Sequence, residues 1–591
     1  MTARRAALLA AATTLALPAA AGAQGPLGPL NDLLALGSGG GQTPDAVAVR
    51  KADSPSFDAT PRATCGPGSK PEPSIQGRVP EGSAEKGLQC NLTMVAHQGT
   101  SGGFRTWRYV DAAGHECAYY DTALLFPANA FNLNSNGLGV AVLDMTDPAK
   151  PVQTASLTDP AMLSPHESLN LSAKRGLLAA VTGNPGTYPG YVSVYDLSKD
   201  CRTPTMAFGG AIARLGHESG FSPDGKTFWA AGTAYTSITA IDLTDPTAAH
   251  VVWQGNVQSH GMTISADGNR AYIANPDLEL GDLTILDISE IQARKANPQA
   301  KFVSRTTWDR ISIPQNAIPF TRDGKPYVLE FDEYNNATLD PAGDPNLVGA
   351  GRILDISDER SPKIVSNLRL EIDNPGPHAQ YGDDPGAQGE NGGAQGYAAH
   401  YCNIDRATNP TLAACSFIAS GLRLFDISDP AKPKEVGYFV APSAAKPENQ
   451  GQASNYAMSQ PTFVPERKEI WYSDGTSGFY VLRTTNGIAP AAGGGGTSTG
   501  SGGGTGTGAS CRSQRAFTIH LHHPYGDPLR SARVTVDGKR VRVRRAGRWL
   551  TARIDLRGKR KKRVVVRIVG TTRSGKTVRD LRDYLTCRPG H

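Results

Sequence analysis

Several chemical signatures are missing from this chain of 591 residues. It has no zinc-protease helix motif H-E-x-x-H. That absence removes the commonest metalloprotease reading. None of the eight cysteines forms a C-x-x-C pair, which weakens zinc and dithiol redox chemistry. After the N-terminus no segment is long and apolar enough to span a bilayer. Long helices are disfavoured too. The 66 glycines and 42 prolines make up about 18% of the chain, against roughly 12% on average, and point to many turns. Charge is ordinary at 19% of residues.

What is there begins with an export signal. Arg4 and Arg5 precede an apolar stretch, Ala6 to Leu17, too short to cross a membrane. Ala21-Gly22-Ala23 is an A-x-A cleavage site, so residues 1–23 read as a signal peptide and the mature chain starts at Gln24. An even cysteine count fits disulfides in an oxidising compartment, secreted or at the cell surface.

Residues 24–87 read as an irregular Pro/Gly-rich leader, and 484–510 as a Gly/Thr/Ser linker. Between them the chain repeats. Each unit is an alternating strand ending in Asp before a short polar turn, as in GVAVLDMTDP ending at Pro148 and GLRLFDISDP ending at Pro430. The repeated acids are Asp144, Asp196, Asp242, Asp287, Asp355 and Asp426, with Arg483 in a degenerate seventh copy. Their spacing of roughly 45 to 70 residues is near a propeller blade. A carboxylate before a turn accepts backbone N–H bonds, so these acids read as structural. Hairpin turns at Asp224-Gly225, Asp267-Gly268 and Asp323-Gly324, with a further strand after each Asp, give four strands per unit. The seventh unit lacks its fourth strand, and the segment at 88–98 reads as its replacement. The fold expected is all-β: a seven-bladed β-propeller over 88–483, then a small basic β-sandwich over 511–591.

On these strand-Asp-[LIM]-[ST] units, 88–483 resembles the LVIVD-repeat proteins. The resemblance implies a propeller exported to a bacterial or archaeal cell surface, with no reaction attached. The His-Gly-Met segment at His260 is similar to segments of selenium-binding-protein and methanethiol-oxidase propellers, which implies copper dependence.

Aligning the first strand of each unit on its turn puts Thr106, His166, His217, His260, Asn316, His400 and Ser459 in register. Four of the chain's 12 histidines thereby fall at one channel mouth, and Glu167 and Glu218 follow two of them. Converging neutral imidazoles suit a transition metal such as copper, zinc or iron. The alternative is a hydrated polar channel whose residues were copied with the repeat. Insertions at 333–349 and 373–398, the second carrying His378, Asp383 and Asp384, lengthen loops suited to recognition. The acids there lack calcium-ligand spacing.

Residues 511–591 carry 23 Lys and Arg against 5 Asp, a charge of +18, and leave −12 on the remainder. An alternating strand exposes Lys539, Arg540, Arg542, Arg544 and Arg545, and a run adds Lys559, Arg560, Lys561, Lys562 and Arg563. This face suits an anionic cell-wall polymer. Scarce aromatics argue against nucleic acid. Cys402 and Cys415, on neighbouring strands, are expected to pair, as are Cys511 and Cys587 at the ends of the tail. Cys65–Cys90 and Cys117–Cys201 are the simplest option for the rest. The function expected first is a monomeric, non-catalytic scaffold binding a protein or polysaccharide through propeller loops, without an established cofactor. The alternative is a copper-like, metal-dependent oxidoreductase using the channel histidines.

Overall fold

The computed structural model describes residues 41–53, 58–123, 138–183, 189–214, 216–231, 237–276, 281–308, 312–338, 343–384, 387, 395–443, 455–488, 516–521, 528–546, 549–557 and 563–585. They fall into two units, Met1–Ala492 and Gly493–His591. Among the described residues no helix is long and apolar enough to cross a membrane.

The first unit is a succession of antiparallel sheets, here I to VII, spanning 106–157, 170–213, 218–255, 261–307, 313–368, 399–440 and 462–484. Sheets I to VI each contain four consecutive strands. The repeated acids act as their spacing implies. Asp144, Asp196, Asp242, Asp287, Asp355 and Asp426 each accept the backbone N–H two residues on, at 2.6 to 3.0 Å. Each ends its strand with an Asx turn rather than serving a site.

Strand alternation then fixes the stacking. Phe228 faces Val181 and Val192 of sheet II, while its neighbour Trp229 faces Met262 and Ile273 of sheet IV. Similar apolar clusters join every consecutive pair of sheets, and one joins Trp471 and Phe479 of sheet VII to Ala118 and Tyr120 of sheet I. The arrangement is propeller-like.

Sheet VII supplies three strands of its own, and its fourth is Leu92–Gln98 from the N-terminal side. The segment expected to close the ring is therefore divided. Leu88–Cys90 joins sheet VI as a fifth strand on Lys434–Val440. Asn91, at φ +56°, makes the bend between them, accepting from Gly66 N and donating to Val436 O.

The described part of the leader is irregular apart from one short strand, and specific contacts hold it. Val49–Lys51 adds a parallel fifth strand to sheet IV. Glu72 is buried against Arg423, which also meets Glu435 and lies over the Tyr438 ring. Burial raises the Glu72 carboxyl, against the pull of Arg423. In the 373–398 insertion, Pro375–Tyr381 is helical and Asp384 is taken up by Arg78 at 2.8 Å.

Disulfides join Cys65 to Cys90, Cys117 to Cys201 and Cys402 to Cys415. Cys402 and Cys415 are directly opposed across two strands of sheet VI. Cys511 and Cys587 lie outside the described residues.

The second unit has a three-stranded and a four-stranded sheet sharing one apolar cluster that includes Ile519, Val534, Ile554 and Val566. Lys539, Arg540, Arg542, Arg544 and Arg545 are exposed, while Val541 and Val543 between them are half-buried. Lys559, Arg560, Lys561 and Lys562 lie outside the described residues, as does the side chain of Arg563.

Candidate metal centre

The ends of strands from different sheets meet at one place. His217 and His260 directly precede the first strands of sheets III and IV, and their N–H groups extend that pairing to Ala231 O and Ala274 O. His400 lies within Ala399–Ile404, the first strand of sheet VI, where the register shifts between Ala399 and Cys402. Glu333 ends Lys325–Glu333, the second strand of sheet V. His166 and Glu167 sit in the connection entering sheet II.

The side chains converge on their donor atoms. Nε2 of His217 lies 3.1 Å from Nε2 of His260 and 3.1 Å from Oε2 of Glu167. Nε2 of His260 lies 3.8 Å from Glu167 Oε2 and 3.5 Å from Glu333 Oε1. Nε2 of His400 lies 3.2 Å from Glu167 Oε1 and 3.3 Å from Glu333 Oε2. The His166 ring lies tilted against His217, at 4.1 Å between centroids, and Phe104 packs against both His166 and His400. Ligand atoms of His166, Glu167 and His217 lie within 4.8 Å of one another.

Backbone carbonyls aim two of the rings. Nδ1 of His260 lies 2.9 Å from Pro314 O, and Nδ1 of His400 lies 2.8 Å from Met458 O. A carbonyl can only accept, so each Nδ1 carries a proton and each Nε2 faces the cluster. Nδ1 of His166 and Nδ1 of His217 are buried without a hydrogen-bond partner. Such orphaned donor atoms cost free energy unless something fills the site.

Electrostatics agrees with a shared positive occupant. Burial works to raise Glu167, but His217 and His400 hold it well below the usual carboxylate range. Burial opposes charge on His400, yet hydrogen bonds to Glu167 and Glu333 lift that ring to about 9. Burial and neighbouring His217 keep His166 well below the usual histidine range. Burial also lowers His260, against the pull of Glu333. In effect a proton on His400 neutralises carboxylates that a metal ion could neutralise instead.

A buried ion pair underlies the cluster. Arg105 pairs with Glu218 and lies 4.2 Å over the Tyr401 ring. Its guanidinium also donates to Glu167 O at 2.8 Å and to Gln460. Glu218 further accepts from Asn316 and from the Met262 N–H, and burial pushes its carboxyl up to about 8. Two glycines make room. A Cβ at Gly261 would fall 2.3 Å from Glu218 Oε2, and one at Gly103 would collide with the Asp121 carboxylate that receives the Phe104 and Arg105 N–H groups. Beyond the pair, following the first strands away from the histidines, lies a cavity of about 270 Å³ lined by Arg105, Ser219, Thr263 and Asn316.

The four histidines named from sequence do come together, but the register drawn there holds only in part. His166 is not at a strand start: it precedes Asn170–Ser172 by four residues and adopts φ +50°. Thr106, Asn316 and Ser459 do not face the imidazoles. Asn316 bonds Glu218, Ser459 Oγ accepts from Ser473 N, and Arg105 rather than Thr106 reaches inward. Glu333 was missed, because it comes from a second strand at the edge of an insertion. Glu167 and Glu218 were visible as His-Glu pairs, yet they part company, one to the histidines and the other to Arg105.

Comparison with known proteins finds a repeat but no activity. No curated protein matches the chain. Among solved structures, a Bacteroides fragilis protein assigned as a 6-phosphogluconolactonase has 13% identity and a TM-score of 0.39, covering 59% of this chain and 85% of that one. A functionally unknown protein from Desulfotomaculum acetoxidans has 13% identity and a TM-score of 0.37, covering 58% and 85%. Kuenenia stuttgartiensis hydrazine synthase has 13% identity and a TM-score of 0.40, covering 66% and 97%. The LVIVD repeat matches at residues 259–298 and 416–440, within sheets IV and VI. The chain thus carries LVIVD repeats at these two places.

Proposed function

We propose that the chain is an exported seven-bladed β-propeller that holds a transition-metal centre at one mouth of its channel. Sheets I to VII are the blades, and residues 92–98 close the ring by completing the last. One observation carries the metal reading: four imidazoles and two carboxylates converge from five sheets or their connections, with Nε2 of His260 and of His400 turned inward by backbone carbonyls. Imidazole mixed with carboxylate suits iron, manganese or zinc better than copper alone. His217 and His260 keep partly accessible side chains, at 14% and 11%, while Glu167 and His400 are buried at 2% and 1%. An ion there would be gripped from below and open to a ligand from the mouth, the condition for a catalytic rather than a structural metal. With iron or manganese the reaction class would be oxidoreduction, and the propeller is the scaffold that supports it.

The test is metal analysis of protein purified without a histidine tag. Stoichiometric iron, manganese or zinc is expected, and loss of it in a His217→Ala His260→Ala double variant. Metal-free protein that gains none on incubation with these ions would refute the reading.

The tail supports a second, separate role. Lys539, Arg540, Arg542, Arg544 and Arg545 are exposed on one short stretch of a unit carrying +18. We propose that this sandwich-like domain holds the protein on an anionic cell-wall polymer or acidic polysaccharide. Such attraction is screened over about 8 Å at physiological salt. Binding to an acidic polysaccharide should therefore fall steeply as salt rises and vanish without residues 511–591. Salt-independent binding would refute it.

A further inference from the structure

The oxygens of the two carboxylates are divided between two groups of nitrogen atoms. Glu167 directs Oε2 at His217 and His260, and Oε1 at His400. Glu333 directs Oε1 at His260 and Oε2 at His400. Two nests follow. One holds Nε2 of His217, Nε2 of His260, Glu167 Oε2 and Glu333 Oε1. The other holds Nε2 of His400, Glu167 Oε1 and Glu333 Oε2. The close approaches within them put no single oxygen in both. We infer that the centre is dinuclear, with Glu167 and Glu333 each bridging two ions through one oxygen apiece.

This rests on the metal reading above and adds its nuclearity and geometry. The contacts within the nests run from 3.1 to 3.8 Å. Ligands held about 2.1 Å from a tetrahedral ion stand roughly 3.4 Å from one another, close to the spacing of these contacts. Carboxylate bridges of this kind set two ions about 3.5 to 4 Å apart. Two divalent ions bring +4 against −2 from the bridges, since the third nearby acid, Glu218, is engaged by Arg105. The centre therefore binds an anion, hydroxide or a small oxyanion, on the side where His217 and His260 are accessible.

The experiment is titration of metal-stripped, full-length protein with Mn²⁺, read by bound-metal analysis and by electron paramagnetic resonance. Two ions per chain with an exchange-coupled spectrum are expected. His400→Ala, folded by circular dichroism, should keep one ion and give an uncoupled six-line spectrum. One ion per wild-type chain would overturn the dinuclear inference and leave the metal reading standing. No bound ion would overturn both. Retention of two coupled ions in His400→Ala would also overturn the assignment of the second nest.

Discussion

Completion of sheet VII by the N-terminal strand Leu92–Gln98 makes a sharp prediction at Leu92. In the register Leu92↔Thr484 and Met94↔Leu482, the Leu92 side chain is 2% exposed and Met94 is 46% exposed. Leu92 packs with Leu422, Leu424 and Phe439 of sheet VI and with Ile470, Tyr480 and Leu482 of sheet VII. It thus binds that strand to two sheets at once. Leu92→Ala removes about three buried carbons, worth roughly 0.8 kcal/mol each by transfer. A cavity that cannot collapse between two rigid sheets adds to that. The expected loss is about 3 to 4 kcal/mol, within the usual span for buried leucines. Met94→Ala, on the same strand, should cost less than about 0.5 kcal/mol. Guanidinium midpoints of the two variants, with the transition slope compared to wild type, decide the matter. A Leu92→Ala protein as stable as wild type, or a Met94→Ala protein equally damaged, would refute this completion.

Other consequences are as direct. Gly261→Ala places a Cβ against Glu218 Oε2 and against the Gln315 carbonyl. It should cost about 1 to 3 kcal/mol in thermal or chemical unfolding, because the backbone oxygen cannot yield. Cys117–Cys201 spans 84 residues and Cys402–Cys415 spans 13. Loop-closure entropy then predicts losses of about 4.5 and about 3 kcal/mol when each pair is replaced by serine, and equal or reversed losses would contradict it. Burial raises the carboxyls of Asp121 and Asp373 to about 7 from 3.8. Between about pH 4 and pH 7 the folded protein keeps protons that the unfolded chain has released, so stability falls as pH rises through that window. Each contributes at most about 4 kcal/mol to the fall. Asp121→Asn should flatten that slope in denaturation measured from pH 4.5 to 7.5, and an unchanged slope would contradict the assignment.

Local features were legible in the sequence and distant meetings were not. The strand-Asp-turn unit could be read because its hydrogen bond, such as Asp144 to Thr146, spans two residues. Cys402 and Cys415 could be paired because a single hairpin opposes them. The histidines at 217 and 260 were placed because they open first strands of adjacent, regular units. His166 escaped that register, since its connection enters sheet II with a left-handed residue that no repeat pattern specifies. Glu333 joins the centre through the far end of a second strand, where no periodicity marks it. The leader's contacts were hidden for a related reason: Glu72 finds Arg423 across 351 residues of chain. Composition registers its prolines and glycines but not that partner.

The account turns on whether ions occupy the histidine and glutamate cluster. Anomalous diffraction from crystals of untagged protein, collected on both sides of the metal absorption edge, tests this most directly. Two peaks about 3.5 to 4 Å apart are predicted, one within about 2.2 Å of Nε2 of His217 and His260 and the other at the same distance from Nε2 of His400. A cluster without anomalous signal, with ordinary water between the carboxylates and imidazoles, would contradict the central claim.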